Sequence, residues 1–293
     1  MRGEAQERAL ASLDGLSVGD ALGERFFGSR AAERVARREL PPPPWRWTDD
    51  TAMACALLEV LMRLGEVRED ELARAFALAY AHDPDRGYGP GMRRLLPRLV
   101  SGDDWSSAAR ALYGGEGSLG NGAAMRVGPL GAWFADDLER VVVEATRSAE
   151  VTHAHPEGIA GAIAVAVAAA LAASTAARGS DLIDRTAALV PEGAVREGLG
   201  RARELGAVSS GEAARRLGSG ALASAPDTVP FAVWCAAHSL DDYEAALWLT
   251  LGGLGDRDTT CAIVGGIVAA RVGSEGIPRE WLAAREPLPP LPG

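Results

Sequence analysis

Residues 158–177 of this 293-residue chain read GIAGAIAVAVAAALAASTAA, with no charge and mostly Ala, Gly, Ser and Thr. A stretch of that length either crosses a bilayer or runs through the middle of a globular fold. Its composition decides between the two. Small residues gain little from lipid, and no aromatic belt flanks the segment. They do let neighbouring helices approach from every side. The expectation is a buried central helix in an all-α bundle, and no membrane span.

The rest of the chain reads as helix too. Apolar positions recur at helical spacing over 51–64, which stops at Gly65, and over 72–81, 123–134 and 138–149. A more charged helix is predicted over 195–205. Ser209 and Glu212 have capping-box spacing before 213–217, as do Asp241 and Glu244 before 243–251. A nearly uncharged helix is predicted over 259–272. No run alternates Val, Ile and Thr with period two between turns. The four prolines of 41–44 deliver the chain in extended form toward a helix at Asp50. These signals predict an all-α fold: one compact orthogonal helical bundle over residues 1–293, with an irregular tail at 286–293. A hydrophobic fraction of 47% and a charged fraction of 24% exclude disorder.

The formal net charge of -10 disfavours a broad nucleic-acid surface, because an acidic face repels a phosphate backbone. Cys55, Cys235 and Cys261 are few, distant and odd in number, so they read as buried thiols of a reducing compartment. The charged N-terminus has no signal-peptide core. The expectation is a cytoplasmic monomer.

Two acidic clusters carry the chemistry. Thr48-Asp49-Asp50-Thr51 opens one nearly uncharged helix, and Asp256-Arg257-Asp258-Thr259 follows a Gly-rich turn and opens another. Each alone is an ordinary helix cap. Taken together they mean more, because two core helices can bring their N-termini to one end of a bundle. Carboxylates gathered there repel unless a cation sits among them. Oxygen donors of this kind suit Mg²⁺, Mn²⁺ or Ca²⁺ and not zinc. An Asp-x-Asp pair can bridge two such ions.

A glycine loop precedes the helix expected over 123–134. Gly117, Ser118, Gly120, Asn121 and Gly122 offer close backbone approach and free N–H groups, a place for a phosphate or an ordinary tight loop. Arg126 could pair with either a phosphate or an acidic residue. His153, in Thr152-His153-Ala154-His155-Pro156, is either a ligand contact or a structural loop histidine.

The order of motifs is specific where each motif alone is not. Gly19-Asp20-Ala21-Leu22-Gly23 comes first, then Trp47-Thr48-Asp49-Asp50-Thr51, then Gly120-Asn121-Gly122-Ala123-Ala124-Met125-Arg126. Thr152-His153 and Gly255-Asp256-Arg257-Asp258-Thr259 complete the series. Over about residues 12–282 the chain resembles the ADP-ribosylglycohydrolases, the family of the dinitrogenase-reductase-activating glycohydrolase. The resemblance implies a compact all-α fold and two divalent cations, Mg²⁺ or Mn²⁺. It implies metal binding by Thr48, Asp49 and Asp50 from one side and by Asp256, Asp258 and Thr259 from the other, with Asp258 bridging. It makes Gly117, Ser118, Gly120, Asn121 and Gly122 the ADP-ribose loop and His153 a contact nearby. Glu24 or Asp50 would accept a proton from the attacking water. The substrate would be an ADP-ribosylated protein or small molecule.

Two departures stand out. The family's last motif usually reads Gly-Asp-Thr-Asp-Thr, and here Arg257 replaces the middle Thr. Some members carry a flap glutamate about four residues past the first motif, where this chain has Phe27, while Glu24 directly follows Gly23. The same residues would also serve a metal-dependent nucleotide phosphohydrolase or a non-catalytic ADP-ribose binder.

Overall fold

The computed structural model describes residues 2–174 and 177–292. Sixteen α-helices follow one another among them: α1 Arg2–Glu24, α2 Ala31–Ala36, α3 Asp49–Leu64, α4 Glu69–His82, α5 Pro90–Val100, α6 Trp105–Arg110, α7 Gly128–Trp133, α8 Leu138–Glu150, α9 Pro156–Ser174, α10 Ser180–Leu189, α11 Ala194–Leu205, α12 Ser210–Leu217, α13 Ala225–His238, α14 Tyr243–Leu251, α15 Arg257–Val272 and α16 Arg279–Ala284. No strand occurs among the described residues, only isolated bridges joining Trp45 to Arg285 and Gly120 to Ser224. The fold is all-α, as expected.

The uncharged segment forms α9, which packs against α7, α8, α10, α13 and α15. It is long and apolar enough to cross a membrane, but most of it is buried inside the bundle. The expected helix over 158–177 ends at Ser174; Thr175 and Ala176 lie outside the described residues. Small residues set how closely its neighbours approach. A Cβ on Gly161 would stand 2.6 Å from Cβ of Ala225 on α13, and one on Gly131 of α7 would stand 2.0 Å from the carbonyl oxygen of Ala166.

The longest helix was not legible as one. In α1, residues 15–23 are buried all round, so no amphipathic stripe marks them. Gly15, Gly19 and Gly23 recur every four residues along one face, and α15 lies directly on that face. Added Cβ atoms there would stand 2.3, 2.1 and 2.2 Å from the carbonyl oxygens of Gly265, Cys261 and Arg257. As one number rises by four the other falls by four, so the helices are antiparallel. The C-terminal end of α1 therefore meets the N-terminal end of α15. Pro97 inside α5 and Pro230 inside α13 similarly mask two further helices.

Two expectations are corrected in detail. The helix expected over 123–134 is broken into a 3-10 turn, Asn121–Ala123, and the short α7. Pro129 starts α7 at its first turn, where its missing N–H is harmless. The cap of α14 is Asp242, which accepts from the N–H of Ala245 at 2.9 Å. Asp241 instead pairs with Arg271 and Arg178. The Ser209 cap stands as expected, accepting from the N–H of Glu212 at 3.3 Å.

The extended segment before α3 is pinned on both sides. The N–H of Trp45 donates to Ala284 at 2.7 Å, and the N–H of Glu286 donates to the carbonyl of Trp45 at 2.8 Å. Arg86 lies 3.5 Å over the Trp47 ring and binds both oxygens of Glu286, at 2.7 and 3.0 Å. Residues 286–292 have no regular structure. All three cysteines are free and buried.

Candidate active site

The glycine contact between α1 and α15 builds the site. It places Asp20, fully buried near the end of α1, beside the start of α3. The Asp20 carboxylate accepts from the N–H of Thr48 at 2.9 Å and of Thr51 at 3.1 Å. It also accepts from the Thr48 hydroxyl at 2.8 Å and the Thr51 hydroxyl at 2.5 Å. One side chain from α1 thus satisfies the first turn of another helix, where backbone N–H groups otherwise lack partners. Thr48 caps the same turn, accepting from the N–H of Asp50 at 3.3 Å.

With α3 held in this way, Asp50 points inward and meets α15. The hydroxyl of Thr259 lies 3.3 Å from Oδ1 of Asp50. Asp256, the residue before α15, accepts from the Asn121 side-chain amide at 2.7 Å and donates its N–H to Ser219 at 2.9 Å. Asp49 is fixed through its N–H, which donates to Arg86 at 2.7 Å. The structure therefore brings together Thr48, Asp49, Asp50, Asp256, Asp258 and Thr259, and adds Asp20, for which the sequence suggested no role. Glu24 sits at the end of α1, where burial and the charge of Asp256 raise its carboxyl.

The carboxylates oppose one another. Burial, with neighbouring acids next, pushes Asp50 and Asp258 well above the ordinary range. Burial and Asp20 push Asp49 up to about 7. Burial pushes Asp20 up to about 6 even against its four donors. Oδ1 of Asp258 is buried with no hydrogen-bond partner. Among the described residues no three His, Cys, Asp or Glu side chains cage an ion by themselves. Asp20, Asp50 and Asp256 each accept from protein donors. The set nonetheless suits hard divalent cations, which would neutralise the repulsion and occupy the orphaned oxygen with threonine hydroxyls completing the shell.

A pH dependence follows for the protein kept in chelator. The raised carboxyls hold protons in the folded chain that the unfolded chain has released, so stability falls as pH rises from about 5 to 7.5. His153, kept neutral by burial, works in the opposite direction, one group against five. Denaturant melts in EDTA across this range are expected to show a loss of a few kcal/mol, removed by Mg²⁺ or Mn²⁺. Stability that rises with pH would contradict the assignment of this cluster.

The glycine loop lies against the same cluster. Gly117 has φ +73°, and a Cβ there would meet the backbone of His155 at 2.7 Å. Asn121 donates to Asp256 and, at 3.0 Å, to Thr228. The N–H of Asn121 donates to Ala223 and that of Gly120 to the Ser118 hydroxyl. The N–H groups of Ser118, Leu119 and Gly122 donate to no group among the described residues. His153 is buried with its Nε2 edge against the loop: added Cβ atoms on Gly120 and Gly122 would stand 3.2 and 3.1 Å from that nitrogen. The loop runs into a three-residue 3-10 turn and not into a long helix, so helix polarity contributes little here.

A family model described as ADP-ribosylglycohydrolase matches residues 1–290. The chain belongs to the ADP-ribosylglycohydrolase family. It is 31% identical over 271 residues to the ADP-ribosylhydrolase ARH3 of Homo sapiens, covering 80% of this chain and 73% of that protein. It is 29% identical over 324 residues to ADP-ribosylhydrolase ARH3 of Danio rerio, covering 95% and 86%. A solved structure titled ADP-ribosylglycohydrolase-related protein complex superposes with a TM-score of 0.67 at 28% identity, covering 97% of this chain and 94% of that one. As a member of the family the chain is a glycohydrolase, of a group that acts on ADP-ribosylated substrates and is known for metal dependence.

The two departures from the ADP-ribosylglycohydrolase pattern touch each other. The Arg257 guanidinium lies 4.6 Å over the ring of Phe27, a residue 46% exposed just past the end of α1. Arg257 makes no ion pair with Asp256 or Asp258, although the charge of both reaches it. Asp20 and Arg126 are the structurally decisive residues whose roles the sequence reading left unassigned. An Asp within a buried apolar helix was the available signal for the first.

Proposed function

We propose that this chain releases ADP-ribose from a protein side chain or another acceptor with two divalent cations, Mg²⁺ or Mn²⁺. Thr48, Asp49 and Asp50 would hold them from one side and Asp256, Asp258 and Thr259 from the other. The observation that carries the reading is the buried, partnerless Oδ1 of Asp258 among carboxylates that raise one another and form no ion pair among the described residues. Such ions, when bound, supply Lewis acidity to the ribose hydroxyls and to a water molecule. The unsatisfied N–H groups at Ser118, Leu119 and Gly122 suit the pyrophosphate and would anchor the substrate away from the reacting carbon. Glu24 or Asp50 would take a proton from water as its oxygen bonds to the anomeric carbon. The bond from that carbon to the acceptor breaks, the acceptor leaves with the proton that the water gave up, and the transition state has oxocarbenium character.

The test is release of free ADP-ribose from arginine-linked, serine-linked, nucleic-acid-linked and small-molecule conjugates, with Mg²⁺, Mn²⁺ or EDTA. Metal-dependent release from one conjugate supports the reading and names the acceptor. AMP with ribose phosphate as products would replace it with a phosphohydrolase. Tight ADP-ribose binding without turnover on any conjugate would replace it with a binding protein.

A further inference from the structure

Arg126 is fully buried and has no carboxylate partner. Its guanidinium lies 4.5 Å over the Phe76 ring and donates to the carbonyl of Gly122 at 3.2 Å, to the carbonyl of Ser148 at 2.7 Å, to the Thr152 hydroxyl at 2.9 Å and, more weakly, to the Met53 sulfur at 4.0 Å. A buried, unpaired guanidinium is costly and is kept only where its fork of donors is used. Here one rigid plane holds both the glycine loop, through Gly122, and the residue preceding His153.

The third contact fixes a direction. Arginine can only donate, so the Thr152 oxygen accepts from it. That oxygen lies 2.7 Å from Nδ1 of His153. Its single proton needs an acceptor in a buried setting, and Nδ1 is the one within reach. The reverse arrangement, with Nδ1 donating, would leave the hydroxyl proton stranded. We infer that Arg126 and Thr152 are positioning residues that lock His153 in the Nε2–H tautomer and aim this donor at an oxygen acceptor of the substrate lying on Gly120 and Gly122. Burial and the charge of Arg126 push His153 down to about 3, which keeps the ring neutral and consistent with this wiring. Nε2 has no partner among the described residues, so its proton is free for a ligand. The choice of acceptor rests on the proposed function; the tautomer does not.

Long-range ¹H–¹⁵N correlation of the full chain reads the tautomer directly, with only four histidines to assign. The wild type is expected to show His153 protonated at Nε2 alone. Thr152→Val keeps the shape and removes the hydroxyl. It is expected to bring in the Nδ1–H form and to weaken ADP-ribose binding about tenfold, with the circular dichroism unchanged. Thr152→Ser is expected to restore both. An Nδ1–H tautomer in the wild type, or a Thr152→Val protein with wild-type tautomer and affinity, overturns the inference. Failure of ADP-ribose to bind the wild type would sink the proposed function and leave the tautomer assignment to stand or fall on its own spectrum.

Discussion

Asp258→Asn is expected to lower turnover roughly a thousandfold while making the chelated protein more stable, by about 1–2 kcal/mol. The opposite signs have one cause. Asp258 is buried, repelled by Asp256 and Asp20, and leaves Oδ1 without a donor. In the absence of a cation that carboxylate is a net cost to folding, and the amide, which carries no charge, relieves it. With a cation present the same group becomes a ligand, and an amide is a poorer one. Thermal melts with EDTA and with saturating Mg²⁺ or Mn²⁺ separate the two effects. The wild type is expected to gain strongly from metal and the variant little. Near-wild-type turnover, or a chelated variant that melts below the wild type, would show that Asp258 serves the fold and not a metal.

How much of this was legible before the structure depends on what each residue is doing. Thr48, Asp49 and Asp50 were readable because they combine two signals, a helix cap and an excess of acid at the mouth of an uncharged helix. The structure then places Asp256 and Asp258 opposite them. Asp20 stood in a recognised motif but had no assigned role, because its partners lie 28 and 31 residues away in sequence, on a helix whose position is set by the glycine face of α1. Arg126 was open between a phosphate and an acid, and the structure gives it no acid: its protein partners are two carbonyls, a hydroxyl and the Met53 sulfur. The break at 123–134 was announced by Pro129, but the apolar periodicity on both sides of it masked the signal. Local patterns found the ends of helices; the long-range contacts that aim those ends at each other did not appear in any local window.

Gly19→Ala is the substitution that tests those long-range contacts most sharply. Elsewhere in a helix such a change stabilises by about 1 kcal/mol, since alanine loses less backbone freedom on folding. At Gly3, where an added Cβ would meet nothing within 4 Å, it is expected to be neutral or mildly stabilising. At Gly19 the added Cβ would stand 2.1 Å from the carbonyl oxygen of Cys261, a backbone atom that no rotamer change can move. The two helices must separate along a seam that also includes Gly15 and Gly23. A cost of about 3 kcal/mol or more is expected in a urea melt, comparable to severe overpacking of a core. The damage also reaches the site, because Asp20 is the next residue and clamps α3 through four hydrogen bonds made at fixed distance. Partial separation of α1 from α15 therefore loosens the first turn of α3 and spreads Asp50 from Thr259. The folded fraction of Gly19→Ala is expected to bind Mn²⁺ more weakly than Gly3→Ala, measured by titration at a temperature where both remain folded. Equal stability of the two variants would mean that α1 and α15 do not meet along this glycine face. Lowered stability with unchanged Mn²⁺ affinity would mean that they meet there without setting the geometry of the carboxylates.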